Sequence, residues 1–113
     1  PAMLWTSLAK LAALDPATRV FCAHEYTLAN LRFAAAVEPA NAALAQRAAR
    51  DAALRERGQP TVPSTIADEL ATNPFLRAGE AVVRAAAEAH AGHSLDGEVA
   101  VFAELRAWKN AFR

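Results

Sequence analysis

The residues best suited to chemistry follow one another near the start of the chain: His24, Glu25 and Tyr26. An imidazole can donate a lone pair to zinc or iron, a carboxylate can order a neighbouring ligand, and a phenol can donate a hydrogen bond to a substrate. The apolar run at residues 20–22 favours a buried strand before them, and Thr27 can cap a helix after them. The pattern therefore predicts these side chains at the end of a strand, where functional sites are commonly built.

A second candidate lies near the C-terminus, where Arg106 and Lys109 are three residues apart and share one face of a predicted helix. A guanidinium can bind a carboxylate through two hydrogen bonds while an ammonium acts as a point charge, so the pair suits a small dianionic ligand. From spacing alone, an exposed basic stripe on an amphipathic helix is the more economical interpretation.

Other polar residues have simple structural interpretations. Cys22 would share a face with His24 in a true strand, but a small buried hydrophobic residue is the commoner role of a lone cysteine. His90 and His93 flank Gly92, which interrupts any helix between them, so we interpret both as a solvent-exposed helix end. A single histidine such as His24 cannot hold zinc alone, since a zinc site needs at least three protein ligands.

Caps and breakers divide the chain into five or six helices and one strand. The predicted helices cover residues 2–14, 27–37, 41–57, 64–72, 79–91 and 96–112. The strand at residues 20–22 has no predicted partner, and a strand without one leaves its backbone groups unpaired. We therefore expect residues 1–26 to be the last helix–strand unit of a larger sheet. The exposed strand and the Leu4, Leu8 and Leu11 face of the first helix are possible surfaces for a partner or self-association.

Composition narrows the class of protein. The chain has 113 residues, one domain's worth, and 31 of them are Ala, which favours helix. The 12 basic and 12 acidic residues balance, which argues against nucleic acid as a partner. No apolar run approaches the roughly 20 residues of a membrane span. No basic-then-apolar leader opens the sequence, so we expect a cytoplasmic protein without a membrane partner.

Three ordered stretches resemble the sequence pattern of hydroxyacylglutathione hydrolases, also called glyoxalase II. They are CAHEYT with NLRFA (22–27 and 30–34), TVPSTIADE with NPFLR (61–69 and 73–77), and RAWKNAF (106–112). The resemblance covers essentially the whole chain but only the C-terminal part of such an enzyme, and the family's Thr-His-x-His-x-Asp-His motif is absent. The chain departs from the family at Asn110, where acidic residues are common, and at Trp108 between the two cations.

The resemblance implies a mainly α fold: the helical C-terminal domain of glyoxalase II at residues 27–113, preceded at 1–26 by the end of a metallo-β-lactamase-like sandwich. It also implies hydrolysis of S-D-lactoylglutathione to glutathione and D-lactate by a metal-bound hydroxide. The cofactors would be two divalent ions, zinc, iron or manganese. His24 would ligate metal and contact substrate with Glu25 and Tyr26, while Arg106 and Lys109 would bind the glycine carboxylate.

We expect the chain by itself to be inactive and to hold no metal, because the remaining ligands would lie in a missing N-terminal metal-binding domain. The alternative is a non-catalytic helical module that binds another protein.

Overall fold

The protein is a bundle of short helices with a very small sheet. The structure, a computed structural model, describes residues 2–20, 27–61 and 64–112. The helices are α1 (Ala2–Ala12), α2 (Thr27–Val37), α3 (Ala42–Glu56), α4 (Ile66–Thr72), α5 (Ala81–Ala91) and α6 (Glu98–Ala111), with a 3₁₀ turn at Pro74–Leu76. The strands are β1 (Arg19–Val20) and β2 (Ser64–Thr65). The mainly α prediction is confirmed, and no helix within the described ranges is long and apolar enough to cross a membrane.

Side-chain caps fix where two helices begin. Asn41 Oδ1 accepts a hydrogen bond from the Leu44 N–H at 3.1 Å, and Thr65 Oγ1 accepts one from the Asp68 N–H at 3.1 Å. Each cap satisfies a backbone donor that has no partner within the helix. Both N-termini fall where the sequence predicts them.

The strand prediction was wrong in one respect. β1 pairs with β2 in an antiparallel register, with Arg19 opposite Thr65 and Val20 opposite Ser64. The sequence predicts no partner for the first strand. β2 supplies that partner, so the unpaired backbone expected at Val20 does not occur.

Two hydrophobic clusters form the core, and α2 contributes to both. The larger cluster takes Phe33 and Val37 from α2 and packs them against residues of the 3₁₀ turn, α5 and α6. The smaller cluster takes Leu31 and Ala34 from α2 and packs them against Leu44 of α3. Different faces of α2 are buried in the two clusters, so α2 packs against α3 on one side and against the α5–α6 pair on the other.

Helix α1 packs through a narrower face than its leucine spacing predicts. Trp5 and Leu8 lie against the larger core cluster, but Leu4 is 43% exposed and Leu11 is 52% exposed. Met3 is 87% exposed on the same helix. The side of α1 that faces away from the bundle therefore carries apolar side chains in solvent.

Helices α5 and α6 lie side by side and run in the same general direction. Near their starts, a Cβ added at Gly79 would lie 2.7 Å from Glu98 Oε1, and near their ends His90 contacts α6. Residues 92–97, which connect the two helices, run back along α5. Two hydrogen bonds of 2.7 Å hold them there: Glu88 Oε2 accepts from the Leu95 N–H, and Arg84 Nη2 donates to the Leu95 carbonyl. The Leu95 N–H, with Arg84, holds the pKa of Glu88 below its ordinary value of 4.5.

Candidate functional site

The structure describes only part of the predicted site. Cys22, His24, Glu25 and Tyr26 lie outside the described residues, immediately before the first residue of α2. Their predicted roles as metal ligand and substrate contacts therefore stay predictions. The part of the site that the structure does describe is the C-terminal half of α6.

Arg106 and Lys109 line one open groove of about 280 Å³ between α1 and α6. Successive turns of α6 place them on the same side, as their spacing predicts. The rest of the described lining is mainly apolar; it consists of Leu4, Leu8, Asn73, Phe75, Phe102 and Asn110. The groove thus brings two cations and two carboxamides together with an apolar wall.

The electrostatics of this groove are one-sided. No acidic residue is among its described lining residues, and neither Arg106 nor Lys109 forms an ion pair with any residue that the structure describes. Other arginines of the chain are paired: Arg47, Arg50, Arg77 and Arg84 each contact a carboxylate. Two cations at one groove, with no counter-ion among the described residues, give the groove a positive potential.

Lys109 has an aromatic partner. Its Nζ lies 5.9 Å from the centroid of the Phe33 ring, within the range of a cation–π contact. Phe33 is buried in the core, so its ring holds a fixed position under the ammonium group. The contact helps to orient Lys109 without neutralising its charge.

A second, more enclosed cavity of about 140 Å³ adjoins the groove and shares Asn73, Phe75 and Lys109 with it. Asn73 is fixed there, because its Oδ1 accepts from the Phe75 N–H at 2.9 Å and its Nδ2 donates to Glu69 Oε1 at 3.3 Å. In the sequence, the Asn73–Phe75 segment enters only through the family resemblance. In the structure this segment also separates the two cavities, a role that no local sequence signal indicates.

The far side of the enclosed cavity is a buried ion-pair network centred on Arg47. Its Nε lies 3.3 Å from Asp51 Oδ2, and its Nη1 contacts Glu69 Oε2 at 2.5 Å and Thr72 Oγ1 at 2.8 Å. Ser64 Oγ donates to the same Glu69 oxygen at 3.2 Å. Arg47 is thereby compensated within the protein and joins α3 to α4, which is a structural role.

His90 is not the free helix end that the sequence predicted. Its ring stacks on Trp108, with centroids 4.5 Å apart and planes 10° apart, and its Nδ1 lies 2.7 Å from Glu104 Oε2. His93 is exposed and contacts only the Ser94 carbonyl among the described residues. Trp108 therefore points from α6 towards α5 and is not among the lining residues of the groove.

The described residues form no metal site. Within residues 2–20, 27–61 and 64–112, no group of three or more His, Cys, Asp or Glu side chains could hold an ion. Any metal bound near His24 would need ligands from outside these ranges. The described part of the site instead contributes the positive charges of Arg106 and Lys109.

Comparison with known proteins finds a family model and several relatives that match this sequence. The sequence model described as hydroxyacylglutathione hydrolase C-terminus matches residues 25–112. The chain is 62% identical over 110 residues to the hydroxyacylglutathione hydrolase of Alkalilimnicola ehrlichii, covering 97% of this chain and 43% of that protein.

Two further relatives carry the same name. The protein of Cupriavidus metallidurans is 58% identical over 113 residues, which cover all of this chain and 42% of the relative. The protein of Pseudomonas aeruginosa is 54% identical over 112 residues, which cover 99% of this chain and 43% of the relative. The chain thus spans a little over two fifths of the length of these relatives.

Proposed function

The chain belongs to the hydroxyacylglutathione hydrolase family, matching its C-terminal part, and on that premise we propose that it carries the substrate-binding part of a thioester hydrolase. The reaction would convert S-D-lactoylglutathione and water into D-lactate and glutathione. The C–S bond breaks, the water oxygen joins the acyl carbon, and the glutathione sulfur leaves as the thiol or thiolate.

One observation carries the proposal: Arg106 and Lys109 meet at a groove whose described lining has no acid, and neither cation has a counter-ion among the described residues. Glutathione has two carboxylates, and acylation adds an uncharged lactoyl thioester at its sulfur. A carboxylate can accept two hydrogen bonds from Arg106 and lie beside the Lys109 ammonium. The apolar wall of Leu4, Leu8 and Phe102 can cover uncharged parts of the substrate.

The departure at Asn110 supports binding of an anion. Asn110 lines the groove four residues after Arg106, so a carboxylate at this position would lie within reach of the guanidinium. A carboxamide leaves the charge of Arg106 available and can donate a hydrogen bond itself. Asn110, which departs from the family pattern, therefore favours anion binding in the groove.

His24, Glu25 and Tyr26 complete the proposal with roles that rest on the family resemblance. His24 would ligate metal, Tyr26 would contact the glutathione moiety, and Glu25 would order this loop. Two divalent ions, zinc, iron or manganese, would supply a water molecule that is deprotonated near neutral pH. Most of their ligands would come from outside this chain, so the chain alone would be inactive.

The relatives are longer than this chain, and we propose that the additional residues cover the exposed side of α1. The family match begins at residue 25, so α1 and β1 precede it. We assign residues 1–26 to the end of a metallo-β-lactamase-like domain and residues 27–113 to the helical substrate-binding domain. The exposed side chains of Met3, Leu11 and Leu14 would then be buried against the rest of that first domain.

We call the pair Arg106 and Lys109 the substrate clamp. Steady-state kinetics of the full-length protein with S-D-lactoylglutathione test its proposed role. We expect Arg106→Ala combined with Lys109→Ala to raise KM roughly tenfold or more, while kcat changes little, because both cations hold parts of the substrate that do not react. Arg57→Ala is the matched control, since Arg57 is an exposed cation outside the groove. An unchanged KM in the double variant would refute the assignment.

A non-catalytic interaction module is the second candidate, and the apolar exposed side of α1 favours it. In that case the 113-residue chain would bind a partner or a second copy through α1. The strand is a weaker basis for self-association than the sequence implied, because Val20 is already paired with Ser64. Light scattering and an activity assay of the full-length protein separate the two candidates. An active monomer favours the hydrolase, and a stable dimer without activity favours the interaction module.

A further inference from the structure

We infer that His90 is a positioning residue for the cation groove, acting through Trp108 on the end of α6 that carries Arg106 and Lys109. The inference rests on the proposed function, because it concerns how the substrate clamp is held. His90 itself belongs to α5 and is not among the residues that line the groove. Its effect on the ligand would therefore be indirect.

The contact between His90 and α6 has two points. The imidazole ring stacks on Trp108 at 4.5 Å, and its Nδ1 lies 2.7 Å from Glu104 Oε2. Glu104 and Trp108 are four residues apart, so they lie one above the other on the same face of the helix. The His90 side chain of α5 thus contacts each of the last two turns of α6.

The ring contacts continue from Trp108 to Lys109. Trp108 and Phe33 meet in an edge-to-face arrangement, with centroids 5.5 Å apart and planes at 82°, so Trp108 lies between His90 and Phe33. Phe33 also carries the Lys109 ammonium over its face at 5.9 Å. His90, Trp108, Phe33 and Lys109 therefore form an unbroken series of contacts from the surface to the groove.

The exposed fractions of the side chains show which residue of the series can move. Phe33 is 1% exposed and is further held by Phe75 and Phe112 at 6.0 and 5.5 Å. The side chain of His90 is 37% exposed and forms the outer cover of Trp108. Removing the imidazole would leave one face of the indole without its partner, while the Phe33 side stays packed. The indole and the turn that carries it would then have room to shift.

The expected effect is on affinity and not on chemistry. Loss of one weak orienting contact at Lys109 corresponds to about a 2- to 6-fold change in affinity. His90 has no proposed role at the metal or at the thioester and does not line the groove, so its removal should leave kcat unchanged. A purely structural role would lower the unfolding temperature and leave affinity as it was.

The experiment measures the dissociation constant of glutathione for the full-length protein by isothermal titration calorimetry, together with kcat for S-D-lactoylglutathione. We expect His90→Ala to bind glutathione 2- to 6-fold more weakly with kcat within about twofold. His90→Phe should restore wild-type affinity, because a phenyl ring can still stack on the indole. His93→Ala is the matched control: it removes a nearby imidazole that makes no described contact with α6.

The Arg106→Ala, Lys109→Ala double variant separates the two ways of failing. If it does not weaken glutathione binding, the proposed function is wrong and the inference about His90 falls with it. If it weakens binding but His90→Ala behaves like His93→Ala, the clamp stands and the positioning role is wrong. Failure of His90→Phe to restore affinity would also overturn the role, because the ring stack is the stated link.

Discussion

The ion pair between Glu38 and Arg77 should be a large single contribution to the stability of the bundle. Arg77 Nε donates to Glu38 Oε1 at 2.6 Å and Nη2 donates to Oε2 at 3.0 Å, so the contact is bidentate. Arg77 Nη1 also donates to the Leu70 carbonyl at 3.1 Å. The hydrogen bond with Glu38 raises the pKa of Arg77 above its ordinary value, so the guanidinium stays charged. The pair joins the end of α2 to the segment after the 3₁₀ turn.

Arg77→Met keeps a side chain of similar length but leaves the Glu38 carboxylate nearly uncompensated. Glu38 is 5% exposed and the Arg77 side chain is 21% exposed. Breaking a fully buried pair costs about 3–5 kcal/mol, and an exposed pair contributes about 0–1 kcal/mol. We discount the first figure for the partial exposure of Arg77 and expect a loss of about 2–4 kcal/mol. In a chain of this size the melting temperature would fall by roughly 10–20 °C.

Urea denaturation of the 113-residue chain, followed by circular dichroism, measures this loss. Arg50→Met is the matched control, because Arg50 is 54% exposed and its contacts with Asp51 and Asp68 are 3.5 and 3.4 Å long. It should cost less than about 1 kcal/mol. Adding Glu38→Gln to Arg77→Met should recover part of the stability, because no isolated buried charge remains. A loss for Arg77→Met no greater than for Arg50→Met would refute the reasoning.

Two further predictions follow from the described contacts. Because the folded pKa of Glu88 is below 4.5, its carboxylate stabilises the fold above that pH, and this contribution is lost as the pH falls through the lowered value. Glu88→Gln should therefore be less stable than wild type at neutral pH, with a difference that vanishes in acid urea titrations; a difference that persists in acid would contradict this. The 113-residue chain should bind zinc no more tightly than an ordinary surface histidine, and one tight site per chain by isothermal titration calorimetry would overturn the prediction.

The helices were predictable because their ends are set by local chemistry. Asn41 and Thr65 cap at the positions where their side chains can reach a backbone N–H three residues on. Gly92 ends α5 with φ of 79°, a conformation that glycine adopts without strain. Each of these signals lies within four residues of the boundary it sets, so the sequence contains them in full.

What the sequence did not predict depends on contacts between distant residues. Val20 finds its partner at Ser64, and two such short stretches carry no pattern that pairs them. His90 meets Trp108 only because α5 and α6 run in the same direction, which follows from the return of residues 92–97 along α5. The spacing of Leu4, Leu8 and Leu11 marks an apolar face of α1, but it cannot tell which part of that face the bundle covers.

The groove also bears on how the protein divides into domains. Its cations come from α6, while Leu4 and Leu8 come from α1, which precedes the residues that match the family's C-terminal model. Helix α1 contacts α4, α6 and the 3₁₀ turn, so it packs directly on the helical bundle. If its outer side is covered by a preceding domain, as we propose, then α1 touches both domains and the substrate clamp at once. A site for the glutathione moiety at this position would be complete only when both domains are folded together.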